Sequence, residues 1–573
     1  MLVKAPGEVN ANAVTGQLVT TFATSSKPGD GLPPLPFSLL TFRFNQGAGS
    51  PLVTPPTCGS YRVTTELTPW SNPEGAPLTP LIPPFPITVN CPAGNVPPFN
   101  PGVTAYPIHG NAGAYSPLYL KSTRQDGEQE STGFATQFPA GLTGNLSGIP
   151  FCGEAEIEAA RRATGVQEET SPSCPAGSQI GHSIAEAGVG SVLVQTPGKI
   201  YLAGPYQGAP FSVVAITSAH VGPFDLGTVV IHFPLQINPE TAVVTIPSGA
   251  ADQIPHIIKG IVIHVRNIRA YIDREHFMLN PTNCTPSTLS ATVIGGGADP
   301  TNPAGYDPVT VTNGFQVANC SSLKFEPKFT ASTSGKTSRA NGASLHVDLT
   351  YPAGALGNDA NIKQVKVDLP KQLPSRLTTL QKACTAAQFN ANPAGCPAAS
   401  FIGHARAITP ILPVPLEGPA IFVSHGGEAF PSLIIVLQGY GVTIDLVGST
   451  FISKAGITSS TFKTVPDQPV TSFELTLPEG KFSALAANGN LCGLTKTVTV
   501  KTKVTIKVKG RKRTVTRKVK ETRPAPLQMP TEFVGQNGAV IHQSTPVGVT
   551  GCAKAKPAKK HKAKKKKGSK KGK

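Results

Sequence analysis

CPAGSQIGH, Cys174 to His182, returns as CPAASFIGH, Cys396 to His404, with seven of nine residues identical. A second cysteine precedes each copy, Cys152 and Cys384. Two further anchors carry the same duplication. FNPGVTA starts at Phe99 and FEPKFTA at Phe325, 226 residues later, and each follows a cysteine, Cys91 or Cys320. Self-similarity at a fixed spacing defines the architecture before any local propensity does. It divides the chain into repeat unit 1 (99–324) and repeat unit 2 (325–552).

Within each unit the order of segments is the same. Unit 1 opens on strands around 118–122 and 134–138, with Asp126-Gly127 between them suited to a hairpin turn. A helical patch near 154–163 follows, then CPAGSQIGH, then the strand-like GKIYLAGPYQGAPFSVVAI. VGPFDLGTVVIHFPLQINPETAVVTI and a run to Cys284 complete the unit. Unit 2 repeats this with SLHVDLTY and IKQVKVDLP, the helical patch LTTLQKACTAAQFNA, CPAASFIGH and GPAIFVSHGGEAFPSLIIVLQG, and runs on to Cys492. Gly (58) and Pro (57) are spread through the chain, which excludes long helices. Val-, Ile-, Thr- and Phe-rich runs between turn residues favour strands. The expected fold is all-β: tandem Ig-like or sandwich-type β domains, one or two per unit of 226 residues, with short helical patches.

Residues 1–98 read as the C-terminal half of a truncated upstream unit. VNANAVTGQLVTTF resembles INPETAVVTI, and PTC at Cys58 matches PTNC at Cys284. The opening residues lack the apolar core of a signal peptide. We therefore expect a leader and half a unit upstream.

The ten cysteines sort by repeat position into five pairs: Cys58–Cys91, Cys152–Cys174, Cys284–Cys320, Cys384–Cys396 and Cys492–Cys552. A disulfide framework implies an oxidising compartment. The loop between Cys492 and Cys552 exceeds its counterparts by about the length of a basic insertion, 501–523.

The net charge of +18 is local. The tail 553–573 contributes twelve lysines and no acid, and 501–523 contributes eleven Lys/Arg against Glu521, leaving −4 on the rest. In the insertion, valines and Ile506 alternate with Lys501, Lys503, Lys507 and Lys509. After Gly510 come Arg511, Lys512 and Arg513, and the return carries Arg517, Lys518 and Lys520. Period 2 on both arms predicts a two-stranded basic ribbon. The tail, with Lys559, Lys560, Lys564, Lys565, Lys566 and Lys567, has almost nothing apolar to bury and is expected to be disordered. Ribbon and tail together suit a polyanion, with counterion release making affinity fall with salt. An anionic cell-envelope polymer or acidic polysaccharide is the expected partner, and nucleic acid the alternative, disfavoured because no aromatic residues interleave to stack bases.

Chemistry-bearing motifs are sparse. His182 and His404 open strands without a shared acid. Arg124, Asp126 and Glu128 in RQDGEQE flank a glycine turn, and both carboxylates are expected to face solvent. SHGGEAF (424–430) resembles an oxyanion loop, but no G-x-S-x-G elbow accompanies it, so a hairpin turn is expected. No metal- or cofactor-binding signature and no run of 18 apolar residues occur, so neither cofactor nor membrane-spanning segment is expected.

RQDGEQE, CPAGSQIGH, GPFDLGTVV, NPTNC, KQLPSRLTTLQKAC, CPAAS and LTLPEG…ALAANGNLC together resemble a repeat family of large secreted proteins of high-GC actinobacteria. The resemblance covers nearly the whole chain and implies an extracellular or cell-surface place. It carries no functional residues, because no activity is established for the family. The leading expectation is a non-enzymatic structural or adhesive repeat protein held to the envelope by its basic C-terminus. The alternatives are a carbohydrate- or ester-active extracellular enzyme and a nucleic-acid-binding protein.

Overall fold

The computed structural model describes residues 4–22, 32–47, 50–351, 356–508 and 511–552. The chain is mostly β, with 46% of residues in strands and 9% in helix, α-helices and 3-10 turns together. Eleven strands of residues 102–315 form one sheet: β1 (Gly102–Pro107), β2 (Leu118–Thr123), β3 (Ser131–Gln137), β4 (Gln179–Ala187), β5 (Val194–Ala203), β6 (Phe211–Val221), β7 (Phe224–Ile237), β8 (Val244–Ile246), β9 (Val265–Ile272), β10 (Ser287–Gly295) and β11 (Asp307–Phe315). Their order is β11-β10-β3-β8-β7-β6-β5-β4-β9-β2-β1.

Residues 328–550 supply eleven counterparts: β12 (Lys328–Ser334), β13 (Leu345–Thr350), β14 (Ile362–Asp368), β15 (Phe401–Ile408), β16 (Leu416–Ser424), β17 (Ser432–Gly439), β18 (Val442–Ile452), β19 (Thr458–Phe462), β20 (Ser472–Leu477), β21 (Leu527–Gly535) and β22 (Val540–Thr550). Their order is β22-β21-β14-β19-β18-β17-β16-β15-β20-β13-β12, the first order with eleven added to every label. Here β12 also pairs in parallel with β22, Ala331 opposite Val547, so the ring closes into a barrel. The first ring stays unladdered at β1 and β11, where the Asn313 side chain donates to the Ala105 carbonyl at 2.8 Å across the seam. Each repeat unit is thus one large curled sheet.

The repeated cysteine motif has a structural task in both units. Helices α1 (Glu154–Arg162) and α2 (Gly165–Thr170) lie outside the first barrel. Cys152, Cys174, Ile157 and Ala160 form one buried cluster with Tyr201, Val214 and Ile216. In the second barrel α4 (Ala386–Ala391) takes that place, with Cys384, Cys396 and Phe389 packed on Ile421, Val423, Ile434 and Val436, while Leu380 of α3 (Leu377–Leu380) is buried in the main core cluster with Leu373, Ala484 and Leu485. Side chains alternate faces along a strand. The even residues of β6 therefore lie under the helical patch, while Phe211, Val213, Ala215, Thr217 and Ala219 face the barrel interior. A strand covered on both faces reads as a continuous apolar run, which accounts for FSVVAI and SLIIVL. All ten cysteines are bridged in the five pairs named above, with Cα separations of 5.2–5.9 Å.

One expectation of strand pairing fails. β2 and β3 are not a hairpin: β2 lies between β1 and β9, and β3 between β8 and β10. Asp126-Gly127 does make a turn, with Gly127 at φ 78°. The turn connects strands in different parts of the ring, because local turn chemistry sets the reversal and ring closure sets the partners.

The barrels pack end to end. Phe151 of the first stacks on Tyr440 of the second and Phe211 packs against it at a tilt, with ring centroids 5.8 and 5.6 Å apart. The Asp445 amide donates to the Pro239 carbonyl, and the Leu146 amide to the Ile411 carbonyl. Asp467, in the loop between β19 and β20, reaches into the loop before Cys284. It accepts from the Thr282 amide (2.8 Å) and hydroxyl (2.5 Å), the Asn283 amide (3.1 Å) and the Asn361 side chain (2.8 Å). Burial pushes this carboxyl up, with the four donors pulling against it.

Candidate functional sites: a basic ribbon and an apolar lumen

The insertion 501–523 is a ribbon whose strands, Thr495–Val508 and Arg511–Pro524, pair antiparallel over their whole length. Its register segregates the charge. Lys501 lies opposite Lys518, Lys503 opposite Thr516 and Thr499 opposite Lys520, so these lysines share one face with Lys512. Lys507 occupies the ladder position opposite Lys512. The other face carries Val498, Val500, Val515 and Val519 together with Arg511, Arg513 and Arg517. Its acid, Glu521, is already paired with Arg523 at 3.1 Å. Lysines directly opposite one another are destabilising in a free ribbon, and an isolated two-stranded ribbon is marginal in water. Both conditions are relieved by an anion laid along the lysine face. Lys509, Gly510 and the tail lysines Lys559, Lys560, Lys564, Lys565, Lys566 and Lys567 lie outside the described residues.

The second site was not anticipated. An eight-stranded barrel is just wide enough for its own side chains to fill, and diameter grows with strand number. Eleven strands enclose more than their side chains occupy, and α1, α2 and α4 sit outside. The result is one apolar cavity of about 1030 Å³, lined by both barrels from Phe224 and Ile261 at the free end of the first to Leu437 and Leu477 in the second. Valine, leucine, isoleucine, phenylalanine and alanine dominate its wall. Among the described residues, Lys121 and His264 are the charged or chargeable polar exceptions together with the Tyr351 phenol, and no carboxylate lines it. Inward-facing Val213, Ala215, Val229 and Phe233 are only half-buried, although they point into the molecule. The signal for this site was the strand count per unit, which becomes legible only once the sheet is seen to close.

The remaining candidates resolve into structure. The Arg124 guanidinium is buried, donating to the carbonyls of Val265 (2.6 Å) and Glu128 (3.0 Å) and pairing with Glu130. Asp126 accepts from the Gly190 amide at 2.7 Å. Glu128, expected in solvent, is buried: its carboxylate accepts from the Gln125 amide at 2.8 Å and closes the turn it stands in. His182 stacks on Tyr271 and pairs with Asp273 at 2.9 Å, whereas His404 is exposed. SHGGEAF is the hairpin between β16 and β17, with Gly426 and Gly427 at φ 85° and 88°.

A serine–histidine pair that sequence reading missed lies beneath Tyr206. His232 Nε2 is 2.8 Å from the Ser212 hydroxyl, and Asp252 is close by. The geometry is not that of a nucleophile and its base. Ser212 is fully buried and its hydroxyl donates to the Gly204 carbonyl at 2.6 Å, so His232 must donate to it. Asp252 accepts from the His232 backbone amide rather than from Nδ1. Burial holds the imidazole below its ordinary pKa. Among the described residues, no three His, Cys, Asp or Glu side chains group as a metal site, and no helix is long and apolar enough to cross a membrane.

No family model and no curated protein matches the chain. Solved structures that align with it include the C-terminal domain of the antigen I/II polypeptide BspA of Streptococcus agalactiae (8% identity, 78% of this chain and 100% of that one, TM-score 0.17). Others are the Enterococcus faecalis MSCRAMM ACE, described as binding its ligands by the collagen hug model (8%, 78% and 93%, TM-score 0.17), and the C-terminal domain of the Streptococcus pyogenes antigen I/II-family protein AspA (8%, 78% and 98%, TM-score 0.15). TM-scores this low carry no argument about this chain.

Proposed function

We propose that the chain is a non-enzymatic structural or adhesive protein of the cell exterior, one of the actinobacterial secreted repeat proteins it resembles, held to anionic envelope polymers by its basic C-terminal end. The observation that carries this reading is the ribbon's charge order: a face shared by lysines and threonines, with Lys501 directly opposite Lys518 and no acid among them. Five disulfides support an oxidising compartment. An acidic polysaccharide such as alginate is the probe, with duplex DNA as competitor. Wild-type affinity falls steeply as salt rises, and a Lys501→Gln, Lys503→Gln, Lys518→Gln, Lys520→Gln variant binds at least ~10-fold more weakly at low salt with its barrels intact. Equal binding by that variant refutes the ribbon's role. Ten free thiols in native-source protein, or a strong preference for DNA, moves the reading to nucleic acid inside the cell.

A further inference from the structure

The apolar lumen asks for a ligand of its own, independent of the ribbon. Among the described residues its walls offer no carboxylate to bind a cation, no arginine, and a single lysine, Lys121, to meet an anion. Filling such a volume with water sets many molecules against walls that cannot hydrogen-bond them. The shape narrows the class further. Alternate residues of β7 line the cavity from Phe224 to Ile237. Fourteen residues rising about 3.3 Å each and tilted about 40° span roughly 33 Å, close to the ~30 Å hydrocarbon thickness of a bilayer. A compact apolar molecule leaves most of that length unfilled; extended hydrocarbon chains fit it.

The free end of the first barrel is built as an entrance for such chains. The tip of the β6–β7 hairpin presents Phe224, 70% exposed, beside Val221. Val192, 75% exposed, stands in the β4–β5 loop, and Ile261 and Val262 lie on the small hairpin Ile257–Val262. Gly260, at φ 82°, lets the backbone of this hairpin approach Ala11 of the N-terminal strands, where a Cβ would meet the Ala11 carbonyl at 2.7 Å. Exposed large apolar residues grouped at the rim of an apolar cavity mark a binding mouth.

We infer that the lumen binds an acyl lipid, its hydrocarbon chain running along the barrel axis and its polar head at the rim formed by Val192, Val221, Phe224 and Ile261. The head can be a free carboxylate or a phospholipid headgroup, since the walls read only the chain.

The test uses the full oxidised chain, delipidated, titrated with anthroyloxy-stearate and with stearyl alcohol as an uncharged competitor. The expected result is saturable binding with probe emission of an apolar site, displaced by the alcohol and insensitive to salt. Affinity rises with chain length across a series of saturated fatty acids. Ala215→Phe combined with Ala270→Phe, which fills the lumen at mid-barrel, lowers affinity at least ~10-fold. Phe224→Ser slows uptake from phosphatidylcholine vesicles by a larger factor than it lowers affinity for the dispersed probe. Transfer of phospholipid out of vesicles assigns a phospholipid; binding of the free acid without transfer assigns a fatty acid. Should the filled variant fail to fold, the chain-length series and alcohol displacement on wild type still decide. The inference is overturned by absence of binding, by binding that salt abolishes and the alcohol does not displace, or by a folded filled variant that binds normally. Loss of the ribbon lysines leaves all these readings unchanged, so failure here and failure of the envelope reading are separable.

Discussion

Replacing Asp467 by alanine should loosen the junction between the two barrels. The carboxylate lies in a loop of the second barrel and accepts two backbone amides and a hydroxyl from residues 282–283 of the first. Thr282 is itself buried. Alanine leaves the two amides without an acceptor, at about 1–3 kcal/mol for each buried unsatisfied donor. The relief of desolvating the carboxylate offsets part of this, and the net expectation is a loss of about 3–4 kcal/mol. Asparagine is the informative control. Its carbonyl can keep the two amides, while Asn361 turns its amide over and the Thr282 hydroxyl rotates, so the loss falls to about 1 kcal/mol. Urea denaturation of the oxidised protein, with limited proteolysis of the segment around residue 283 as a local reporter, measures both. Alanine and asparagine variants within ~0.5 kcal/mol of wild type would refute the view that this residue joins the barrels.

Three other outcomes follow from the same geometry. Asp445 lies half-buried near Glu240, and burial first, then Glu240, pushes its carboxyl up to about 6. A folded-state pKa above the unfolded one favours the protonated fold, so this group's contribution is present below the unfolded value of 3.8 and is lost as pH rises through about 6. Asp445→Asn should remove that slope from a melting-temperature profile and raise stability at neutral pH. Serine at both Cys152 and Cys174, which close a 22-residue loop, should cost about 3 kcal/mol in urea, and unchanged stability would argue against the bridge as a clamp on the helical patch. Neighbours on opposite faces of β6 should respond unequally: Val214→Ala, under the helices, by about 2–3 kcal/mol, and Val213→Ala, bordering space already open, by under ~1 kcal/mol.

The duplication was legible because it repeats residue types with local reasons to recur. Cys152–Cys174 and Cys384–Cys396 each clamp helices over the same two strands. The ribbon was legible because a period of 2 with alternating charge has few other readings. Pairing partners were not. Asp126-Gly127 looks identical whether its flanking strands pair or part, and the ring decides which. Nor does any residue announce the lumen. Ala215 and Val213 read as ordinary core until eleven strands are counted around them. Glu128 was misplaced for a smaller reason, since a carboxylate next to glycine can fold back onto the turn's own amide as readily as it meets water.

A wide barrel has a stability problem that its sequence meets on the outside. Apolar wall left short of packing partners forfeits dispersion contacts that a filled core would make. Here four of the strands bordering the lumen are doubly covered: β5 and β6, and β16 and β17, carry a disulfide-clamped helical patch on their outer faces. Val214, Ile421 and Val423 are completely buried there, while the inward neighbours of Val214 are not. The outer layer thus supplies packing that the inward residues of β6 and β7 in the first barrel lack, whereas the inward face of the second barrel is itself well packed. That division is what a barrel needs if its interior is to receive a chain and let it go without unfolding. It also explains why the CPAxSxIGH motif, far from any chemistry, is what the two units have kept most nearly alike.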